Sequence, residues 1–269
     1  MTKEMPWVTG ASRVFGTIAH PPHHVRAPML FNALFAERGL DNIMVPIDAP
    51  PADLAAVIAG LRKMPNFGGL AVTIPHKIAL ADMCDSLGAV AKITGAVNAI
   101  RFDPDGSMHG DNFDGEGFVT GLALKGHSVA GKTILMIGAG GAARAIAAAV
   151  CAAGAEKLII VNRTVKNADA LRNALVKEGN HHQSIAQDSH DGSGVDIIIN
   201  TTSLGLKPGD DLPLALDHVD DNTLIADIIM IPEQTAWLLA AEQRGLATHY
   251  GRHMLDCQIE LIGSFIGAL

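Results

Sequence analysis

Residues 132–164 read KTILMIGAGGAARAIAAAVCAAGAEKLIIVNRT, and this stretch decides the fold of the chain. The apolar run TILMI predicts a strand, the alanine-rich segment after it predicts a helix, and KLIIV predicts a second strand. A strand, a glycine-rich turn, a helix and a strand within about 30 residues make one βαβ unit. The stretch therefore predicts two strands of a parallel sheet, joined by a helix that covers the sheet.

The turn between the first of these strands and the helix has small residues at the spacing G-x-G-x-x-A. Gly138 permits a tight turn, Gly140 lets a pyrophosphate approach the backbone, and Ala143 lets the helix pack closely on the strand. Free N–H groups at the start of such a helix bind phosphate. The pattern predicts a dinucleotide site, with a purely structural turn as the alternative. The expected cofactor contacts are Gly138, Ala139, Gly140, Gly141 and Ala142.

The end of the second strand bears on the choice between NAD and NADP. An NAD site usually has an acid there that binds the ribose 2′-hydroxyl, whereas an NADP site uses an arginine on the 2′-phosphate. This chain has no acid at that place. It offers Asn162, Arg163, Thr164 and Lys166, which we treat as candidates for cofactor binding. The sequence leaves NAD and NADP both open.

Elsewhere, short apolar runs alternate with Ala- and Leu-rich periodic segments, which is typical of an α/β protein. We expect strands at RVFGTIA, NIMVPIDA, GGLAVTI, VDIIINTT and NTLIADII, and helices at PMLFNALFAERG, PADLAAVIAGLRKM, PHKIALADMC and GEGFVTGLALKG. A hairpin is predicted with its turn at Asp103 to Gly106. The polar residues 179–194 are expected to be a mobile surface connection.

Composition argues against several classes of protein. The chain has 269 residues and a formal net charge of -8, with no run of Lys or Arg, so a nucleic-acid partner has no electrostatic basis. No segment has the pattern of a signal peptide or a membrane span, and we expect a cytoplasmic protein. Cys84, Cys151 and Cys257 are few and widely spaced, as reduced thiols are. His20, His23 and His24 lack the spacing of a dependable metal site, and we expect none.

The segment AVTIPHK, residues 71–77, suggests acid–base chemistry. It leads from a strand into the first turn of a helix, where the positive end of the helix dipole disfavours the charge of Lys77. Such a lysine can exchange a proton with a substrate, and a nearby aspartate would stabilise its protonated form. A solvated lysine at a helix start is the alternative interpretation.

Seven motifs, in one order over nearly the whole chain, resemble those of the shikimate dehydrogenase family. They are AVTIPHK, AVN, NFDG, GAGGAA, NRT, NTTSLG (200–205) and MLDCQ (254–258). The resemblance implies a cytosolic NAD(P)-dependent oxidoreductase of the EC 1.1.1 type in aromatic amino acid biosynthesis, acting without metal on a small cyclic hydroxy acid such as shikimate or quinate. It implies Lys77 and Asp114 as the catalytic pair. It further implies substrate contacts from Thr73, Asn98 and Gln258, and cofactor contacts from Asn200, Thr201 and Gly251.

The chain departs from the family pattern H-S-x-S-P-x-x-H-N, whose two serines bind the substrate carboxylate. Val25 and Ala27 stand at the serine positions and Phe31 at the second histidine. Ala71 replaces the first asparagine of N-V-T, and Phe113 replaces the threonine before Asp114. The reacting end of the site is therefore kept while the carboxylate end is rebuilt, and we expect inefficient turnover of shikimate.

Arg26 is the candidate replacement for the missing serines. A guanidinium binds a carboxylate in bidentate fashion and more strongly than neutral hydroxyls do. The alternative is a surface arginine in a proline-rich loop, which is expected to be extended and to lead into a helix near Pro28. In the predicted dinucleotide site, Asn167 stands where NADP-dependent members of the family often have a second arginine. This difference makes NAD a serious candidate for the cofactor.

The predicted organisation has two domains. Residues 1–115, with about 245–269, form an α/β substrate-binding domain with a mostly parallel sheet, and residues 116–244 form a Rossmann dinucleotide-binding domain. A homodimer is compatible with the sequence. The main alternative is a non-catalytic, dinucleotide-binding regulatory protein that has lost its substrate pocket. A dehydrogenase of folate metabolism is a third hypothesis, which the NFDG and MLDCQ segments do not support.

Overall fold

The computed structural model describes residues 8–177 and 184–269. By its internal contacts the chain forms two compact units. One comprises the residues up to Phe113 together with Ile259–Leu269, and the other comprises Asp114–Gln258. The sequence predicts that the chain re-enters the first unit near residue 245. By the internal contacts it does so at Ile259, which lies inside a single helix that begins in the second unit.

The first unit contains a six-stranded mixed sheet with the order β2-β1-β3-β5-β6-β4. Its strands are β1 (Arg13–Ala19), β2 (Asn42–Asp48), β3 (Phe67–Val72), β4 (Ser86–Leu87), β5 (Ala99–Phe102) and β6 (Met108–Asp111). β1 pairs in parallel with β2 and β3, whereas β5 is antiparallel to β3 and β6. The predicted hairpin is confirmed, with Gly106 at a φ of 82° in its turn.

Four α-helices lie wholly within the described residues of this unit: α1 (Ala27–Arg38), α2 (Leu54–Leu61), α3 (Lys77–Met83) and α4 (Ala89–Thr94). α1 ends at Gly39, as predicted, because the glycine takes the left-handed conformation that closes a helix. The proline-rich segment before α1 is not wholly extended, since Pro22–His24 form one 3₁₀ turn. Proline already has the φ angle that the first turn of a helix requires, and this favours the turn.

The second unit contains a six-stranded sheet with the order β12-β11-β10-β7-β8-β9, and every pairing in it is parallel. Its strands are β7 (Thr133–Ile137), β8 (Lys157–Val161), β9 (Ser184–Gln187), β10 (Ile197–Asn200), β11 (Leu224–Asp227) and β12 (Ala247–His249). The strand order reverses between β7 and β10, so the sheet is doubly wound, as in the predicted Rossmann fold.

Among the described residues, five helices begin in this unit: α5 (Asp114–Leu124), α6 (Gly141–Ala152), α7 (Val165–Lys177), α8 (Ala236–Gln243) and α9 (Gly251–Phe265), and α9 ends in the first unit. Both faces of the sheet are buried. On β7, Ile134 and Met136 belong to one apolar cluster and Leu135 and Ile137 to the other, because successive side chains of a strand point to opposite faces. A strand buried on both faces reads as the continuous apolar run TILMI.

Part of the predicted surface connection is a strand, because Ser184–Gln187 form β9. This strand lies at the edge of the sheet and pairs in parallel with β8, from Leu158 opposite Ser184 to Val161 opposite Gln187. An edge strand needs no continuous apolar run, and the sequence SIAQ therefore gives little signal. Residues 179–183 of the predicted connection lie outside the described residues.

None of the described helices combines the length and the apolar character needed to cross a bilayer.

Candidate functional site

The glycine-rich turn has the geometry that its spacing predicts. Gly138 has a φ of 115°, and a Cβ atom there would lie 2.5 Å from the Thr201 hydroxyl, so only glycine fits. At Gly140 and Gly141 an added Cβ would meet nothing within 4 Å. Ala143 is fully buried beneath them. The turn is therefore tightly packed on its inner side and open on the outer side, at the start of α6.

A loop of closely bonded polar residues follows β10 beside this turn. Asn200 is fully buried; its Nδ2 donates to the Leu204 carbonyl at 3.1 Å, and its Oδ1 accepts from the Thr202 hydroxyl at 2.7 Å. Thr201 donates from its hydroxyl to the Ile137 carbonyl at the end of β7, at 2.7 Å. The two side chains that the resemblance assigns to the cofactor thus also build the loop at the carboxyl ends of β7 and β10.

Asp227, at the end of β11, is a functional candidate that the sequence analysis missed. It is fully buried and accepts hydrogen bonds from Asn200 Nδ2, the Ile229 amide and the Thr235 hydroxyl, at 3.1, 3.0 and 2.9 Å. Burial raises the pKa of Asp227, while these donors act in the opposite direction. Thr235 also caps α8 by accepting from the Leu238 amide. One carboxylate therefore connects the loop after β10 to the start of α8.

Gly251, the first residue of α9, has a packing reason to be glycine. An added Cβ would overlap the backbone of Ile228 and Ile229, which follow β11. The proposed contact of Gly251 with the cofactor remains a prediction. The close approach of α9 to the end of β11 is the structural requirement that this glycine meets.

The residues after β8 lie at the same edge of the sheet as the glycine-rich turn. Asn162 Nδ2 donates to the Thr164 carbonyl at 2.9 Å and so closes the turn that leads into α7. Arg163, Thr164 and Lys166 are exposed. Two cationic side chains are thus available at the place where the sequence predicts the adenosine ribose.

In the first unit, Lys77 is the first residue of α3, and residues 73–76 connect it to the end of β3. Thr73 donates from its amide to the Ile18 carbonyl of β1 at 3.2 Å, and the Lys77 carbonyl accepts from the Val97 amide at 2.9 Å. The predicted position of Lys77 in the first turn of a helix is therefore correct, although α3 begins at Lys77 and not near Pro75. Thr73 and Lys77 both lie at the carboxyl edge of the parallel strands β1 and β3.

Asn98, just before β5, joins two neighbouring segments. It is 3% exposed, and its Oδ1 accepts from the Phe113 amide at 2.9 Å. The Asn98 carbonyl accepts from the Val72 amide at 2.7 Å, at the end of β3. The Asn98 side chain therefore bonds to backbone beside the segment that leads to Lys77, and its contact with a substrate stays a prediction.

The proline-rich segment lies beside the Lys77 segment within this unit. The His20 amide donates to the Ile74 carbonyl at 3.3 Å, and His20 Nδ1 lies 2.8 Å from an Asp48 carboxylate oxygen at the end of β2. Val25 is half-buried. Arg26 is exposed and stands immediately before α1 without a side-chain bond to the helix. Within the described residues, no group of three or more His, Cys, Asp or Glu side chains is arranged to hold a metal ion.

His76, between Pro75 and Lys77, is a second residue that the sequence analysis passed over. It is 1% exposed, and burial lowers the pKa of its imidazole. A neutral ring beside Lys77 adds no charge to the site. The signal available in the sequence was its place inside AVTIPHK, where a histidine between an apolar strand and a helix is expected to be buried.

Asp114 and Gln258 are brought together within the second unit. Asp114 is the first residue of α5 and is 2% exposed. Gln258 of α9 is 5% exposed, and its Nε2 donates to Asp114 Oδ1 at 3.2 Å. Glycines at 115 and 117 allow close packing, since an added Cβ at Gly117 would lie 2.5 Å from the Gln258 side chain. The structure thus places a buried carboxylate in a polar contact that the sequence implied only through the resemblance.

His249, at the end of β12, is expected to make the stability of the folded protein sensitive to acid. Burial lowers its pKa to about 4, with His253 and His127 nearby, and neither ring nitrogen has a hydrogen-bond partner among the described residues. Below pH 6.5 the unfolded chain binds a proton that the folded protein takes up only near pH 4. This contribution to stability is therefore complete above pH 6.5 and is lost as the pH falls toward 4.

We expect His249→Leu to remove that pH dependence. Between pH 7 and pH 5 the wild-type free energy of unfolding should fall by about 2 kcal/mol more than that of the variant, as measured by urea unfolding. His218→Leu, at an exposed position, is the control and should keep the wild-type slope. If the free energy of unfolding of His249→Leu fell with pH as steeply as that of the wild type, His249 would not be the source of the acid sensitivity.

Comparison with known proteins agrees with this arrangement. The family model described as the shikimate dehydrogenase substrate binding domain matches residues 17–100, and the model described as shikimate / quinate 5-dehydrogenase matches residues 122–206. The NADP(+) shikimate dehydrogenase of Rubrobacter xylanophilus is 38% identical over 254 residues, which cover 93% of this chain and 89% of that protein.

Solved structures of similar proteins cover nearly the whole chain. The ligand-free 5-ketofructose reductase of Gluconobacter sp. strain CHM43 has a TM-score of 0.85 at 33% identity, covering 94% of this chain and 92% of its own. Shikimate 5-dehydrogenase of Listeria monocytogenes, in complex with shikimate and NAD, has a TM-score of 0.89 at 29% identity. The match covers 97% of this chain and 94% of the Listeria chain.

The doubly wound sheet with its glycine-rich turn, in one chain with a second α/β unit, defines an NAD(P)-dependent oxidoreductase. Its class is that of the EC 1.1.1 dehydrogenases. Within this class, the chain belongs to the shikimate dehydrogenase family.

Proposed function

We propose that the protein transfers hydride between a nicotinamide and a ring carbon that carries a hydroxyl or keto group, on a shikimate-like cyclic hydroxy acid. Lys77 and Asp114 are the proposed catalytic pair. The observation that carries the proposal is the presence of Lys77 at the first position of α3, within the motif AVTIPHK, in a chain 38% identical to a shikimate dehydrogenase.

The proton chemistry of the proposal belongs to Lys77. A reduced nicotinamide, when bound, would supply the hydride that the carbonyl carbon accepts. Lys77 Nζ gives a proton to the carbonyl oxygen, and in the oxidation direction its neutral amine takes the hydroxyl proton. The Asp114 carboxylate stabilises the ammonium form in this scheme, and Thr73, Asn98 and Gln258 orient the ring hydroxyls.

The cofactor and the location complete the proposal. We keep both NAD and NADP, because the curated relative is named as an NADP(+) enzyme and the Listeria structure contains NAD. The three free cysteines suit a reducing compartment, and a cytoplasmic location belongs to the proposal.

A second candidate substrate is an uncharged keto sugar. It is favoured by the 33% identity to a 5-ketofructose reductase and by Val25 and Ala27, which offer no hydroxyl to a carboxylate. The two candidates differ in what they require of Arg26. A hydroxy acid needs a group that binds its carboxylate, whereas a keto sugar has no carboxylate to bind.

The test is a matrix of rates followed at the absorbance band of the reduced nicotinamide. NAD and NADP are combined with shikimate and quinate, and NADH and NADPH with 5-ketofructose. For a hydroxy acid we expect turnover of the acids, with Arg26→Ala raising their KM about tenfold. Arg38→Ala, which removes an exposed arginine at the other end of α1, is the matched control.

Each outcome of the matrix assigns the protein differently. Turnover of 5-ketofructose alone, unaffected by Arg26→Ala, would overturn the hydroxy-acid proposal in favour of the keto sugar. Binding of dinucleotide without turnover of any substrate would support the non-catalytic regulatory alternative.

A further inference from the structure

The buried carboxylate of Asp227 is more than the stability of the fold requires. The side chain is fully buried, and among the described residues no Lys, Arg or His forms an ion pair with it. A buried carboxylate without a cation costs more free energy than an apolar side chain of similar volume. Hydrogen bonds from Asn200 Nδ2, the Ile229 amide and the Thr235 hydroxyl offset part of that cost. Stability alone therefore gives no reason for an acid at this position.

The register of the sheet connects Asp227 to the glycine-rich turn. Asp227 ends β11 opposite Asn200 of β10, and Asn200 in turn lies opposite Ile137, the last residue of β7. The three residues therefore form one row across the carboxyl edge of the sheet. Gly138, the first residue of the turn, directly follows this row in the chain. A change of side chain at Asp227 can thus reach the turn through Asn200.

Asp227 fixes the orientation of the Asn200 amide. An asparagine side chain can turn over by about 180°, which exchanges its donor with its acceptor. Here Nδ2 donates to Asp227 Oδ1 and to the Leu204 carbonyl, both at 3.1 Å, so the amide oxygen points the other way. There it accepts from the amide and the hydroxyl of Thr202, at 3.0 and 2.7 Å. An ionised carboxylate only accepts hydrogen bonds, so Asp227 excludes the reversed orientation.

The loop after β10 packs directly against the glycine-rich turn. Thr201 donates from its amide and from its hydroxyl to the Ile137 carbonyl, at 2.9 and 2.7 Å. A Cβ atom at Gly138 would lie 2.5 Å from the Thr201 hydroxyl and 3.2 Å from the Thr202 methyl carbon. Because so little space is free, the position of these two threonines determines the position of the turn.

We propose that Asp227 is a positioning residue for the dinucleotide. Through the amide of Asn200 it holds the loop after β10 in the form that keeps the glycine-rich turn open to a pyrophosphate. Asp227 is fully buried, so it acts without touching the ligand. The inference rests on the proposed function, because it assumes that the turn binds a dinucleotide.

The test measures the affinity of the full chain for NAD and NADP by isothermal titration calorimetry, so that turnover is not needed. Asp227→Leu should weaken binding about tenfold, because the Asn200 amide is then free to turn over. Asp227→Asn should stay within about twofold of the wild type, since its Oδ1 can accept from Asn200 and its Nδ2 can donate to the Thr235 hydroxyl. Asp217→Leu, the same replacement at an exposed acid, is the matched control and should bind like the wild type.

A second variant tests whether Asp227 acts through Asn200. Asn200→Ala should weaken binding to a similar degree, and the double variant with Asp227→Leu should be little weaker than either, because both changes break the same contact. Losses that multiply in the double variant overturn this connection. If Asp227→Leu does not fold, Asp227→Ser takes its place with the same expected loss, because one short hydroxyl cannot replace two carboxylate oxygens.

The outcomes separate the inference from the proposed function. Wild-type affinity in Asp227→Leu, with a lower free energy of unfolding in urea, means that the carboxylate serves the fold alone and overturns the positioning role. A loss in Asp227→Asn as large as in Asp227→Leu overturns the role of the hydrogen bonds. Both results leave the proposed function standing. If the wild-type protein binds neither NAD nor NADP, the dinucleotide site of the proposed function fails, and the positioning role fails with it.

Discussion

Replacing Lys77 with methionine is expected to lower kcat about 10³-fold while the affinity for the dinucleotide stays the same. Methionine keeps much of the length and apolar stem of lysine and removes the only group that exchanges a proton in the proposed reaction. A positioned acid or base contributes about 10² to 10⁴ in rate. The measurement is steady-state kinetics on the best substrate of the rate matrix, with dinucleotide binding measured separately.

Two further variants separate proton transfer from charge. Lys77→Arg keeps the positive charge, but arginine stays protonated and cannot return a proton, so this variant should be nearly as slow as Lys77→Met. Lys92→Met makes the same replacement at an exposed position of α4 and should behave like the wild type. Full activity in Lys77→Arg would mean that Lys77 acts only as a charge, and full activity in Lys77→Met would remove it from catalysis.

Replacing Gly138 with alanine is expected to have the second largest effect, a loss of about 100-fold in dinucleotide affinity. The φ of 115° is unfavourable for any residue with a Cβ, and that Cβ would lie 2.5 Å from the Thr201 hydroxyl. The turn must therefore shift. The free protein should also lose about 2 kcal/mol of stability, because the strain is present without the cofactor. Calorimetric binding and urea unfolding measure the two effects.

Gly140→Ala separates these effects. The backbone at Gly140 has a φ of -79°, and an added Cβ meets nothing within 4 Å in the free protein, so the stability should be unchanged. The dinucleotide affinity should nevertheless fall, since a methyl group would occupy the approach to the backbone. Gly60→Ala in α2 is the control and should not affect binding. Wild-type affinity in both Gly138→Ala and Gly140→Ala would show that the turn is purely structural.

The part of the fold that the sequence predicted best is the part buried on both faces. TILMI and KLIIV are apolar throughout because helices cover both sides of the sheet, and the turn between them needs small residues at fixed places. The Rossmann unit, its glycine-rich turn and the family were therefore predictable. The hairpin was predictable for a different reason, since its turn residues have a conformational preference of their own.

The missed features have little local signal. β9 is held by its backbone pairing to β8, and its four residues are neither continuously apolar nor strictly alternating. Asp227 is recognisable only when the donors around it are known, because Asn200 comes from another strand end and Thr235 from the start of a helix. Such features arise from pairing across the sheet, which a single sequence does not encode in any one segment.

The carboxylate of Asp227 limits how freely the cofactor-side loops can be exchanged between related proteins. Asn200 lies at one strand end, Asp227 at the next and Thr235 at the start of a helix. Asn200 and Thr235 both donate hydrogen bonds to the Asp227 carboxylate. Transplanting residues 200–205 from a protein without an asparagine at position 200 would leave the buried Asp227 carboxylate short of a donor, which is costly in the protein interior. For protein engineering, the unit to be exchanged is therefore this three-residue group with both of its loops.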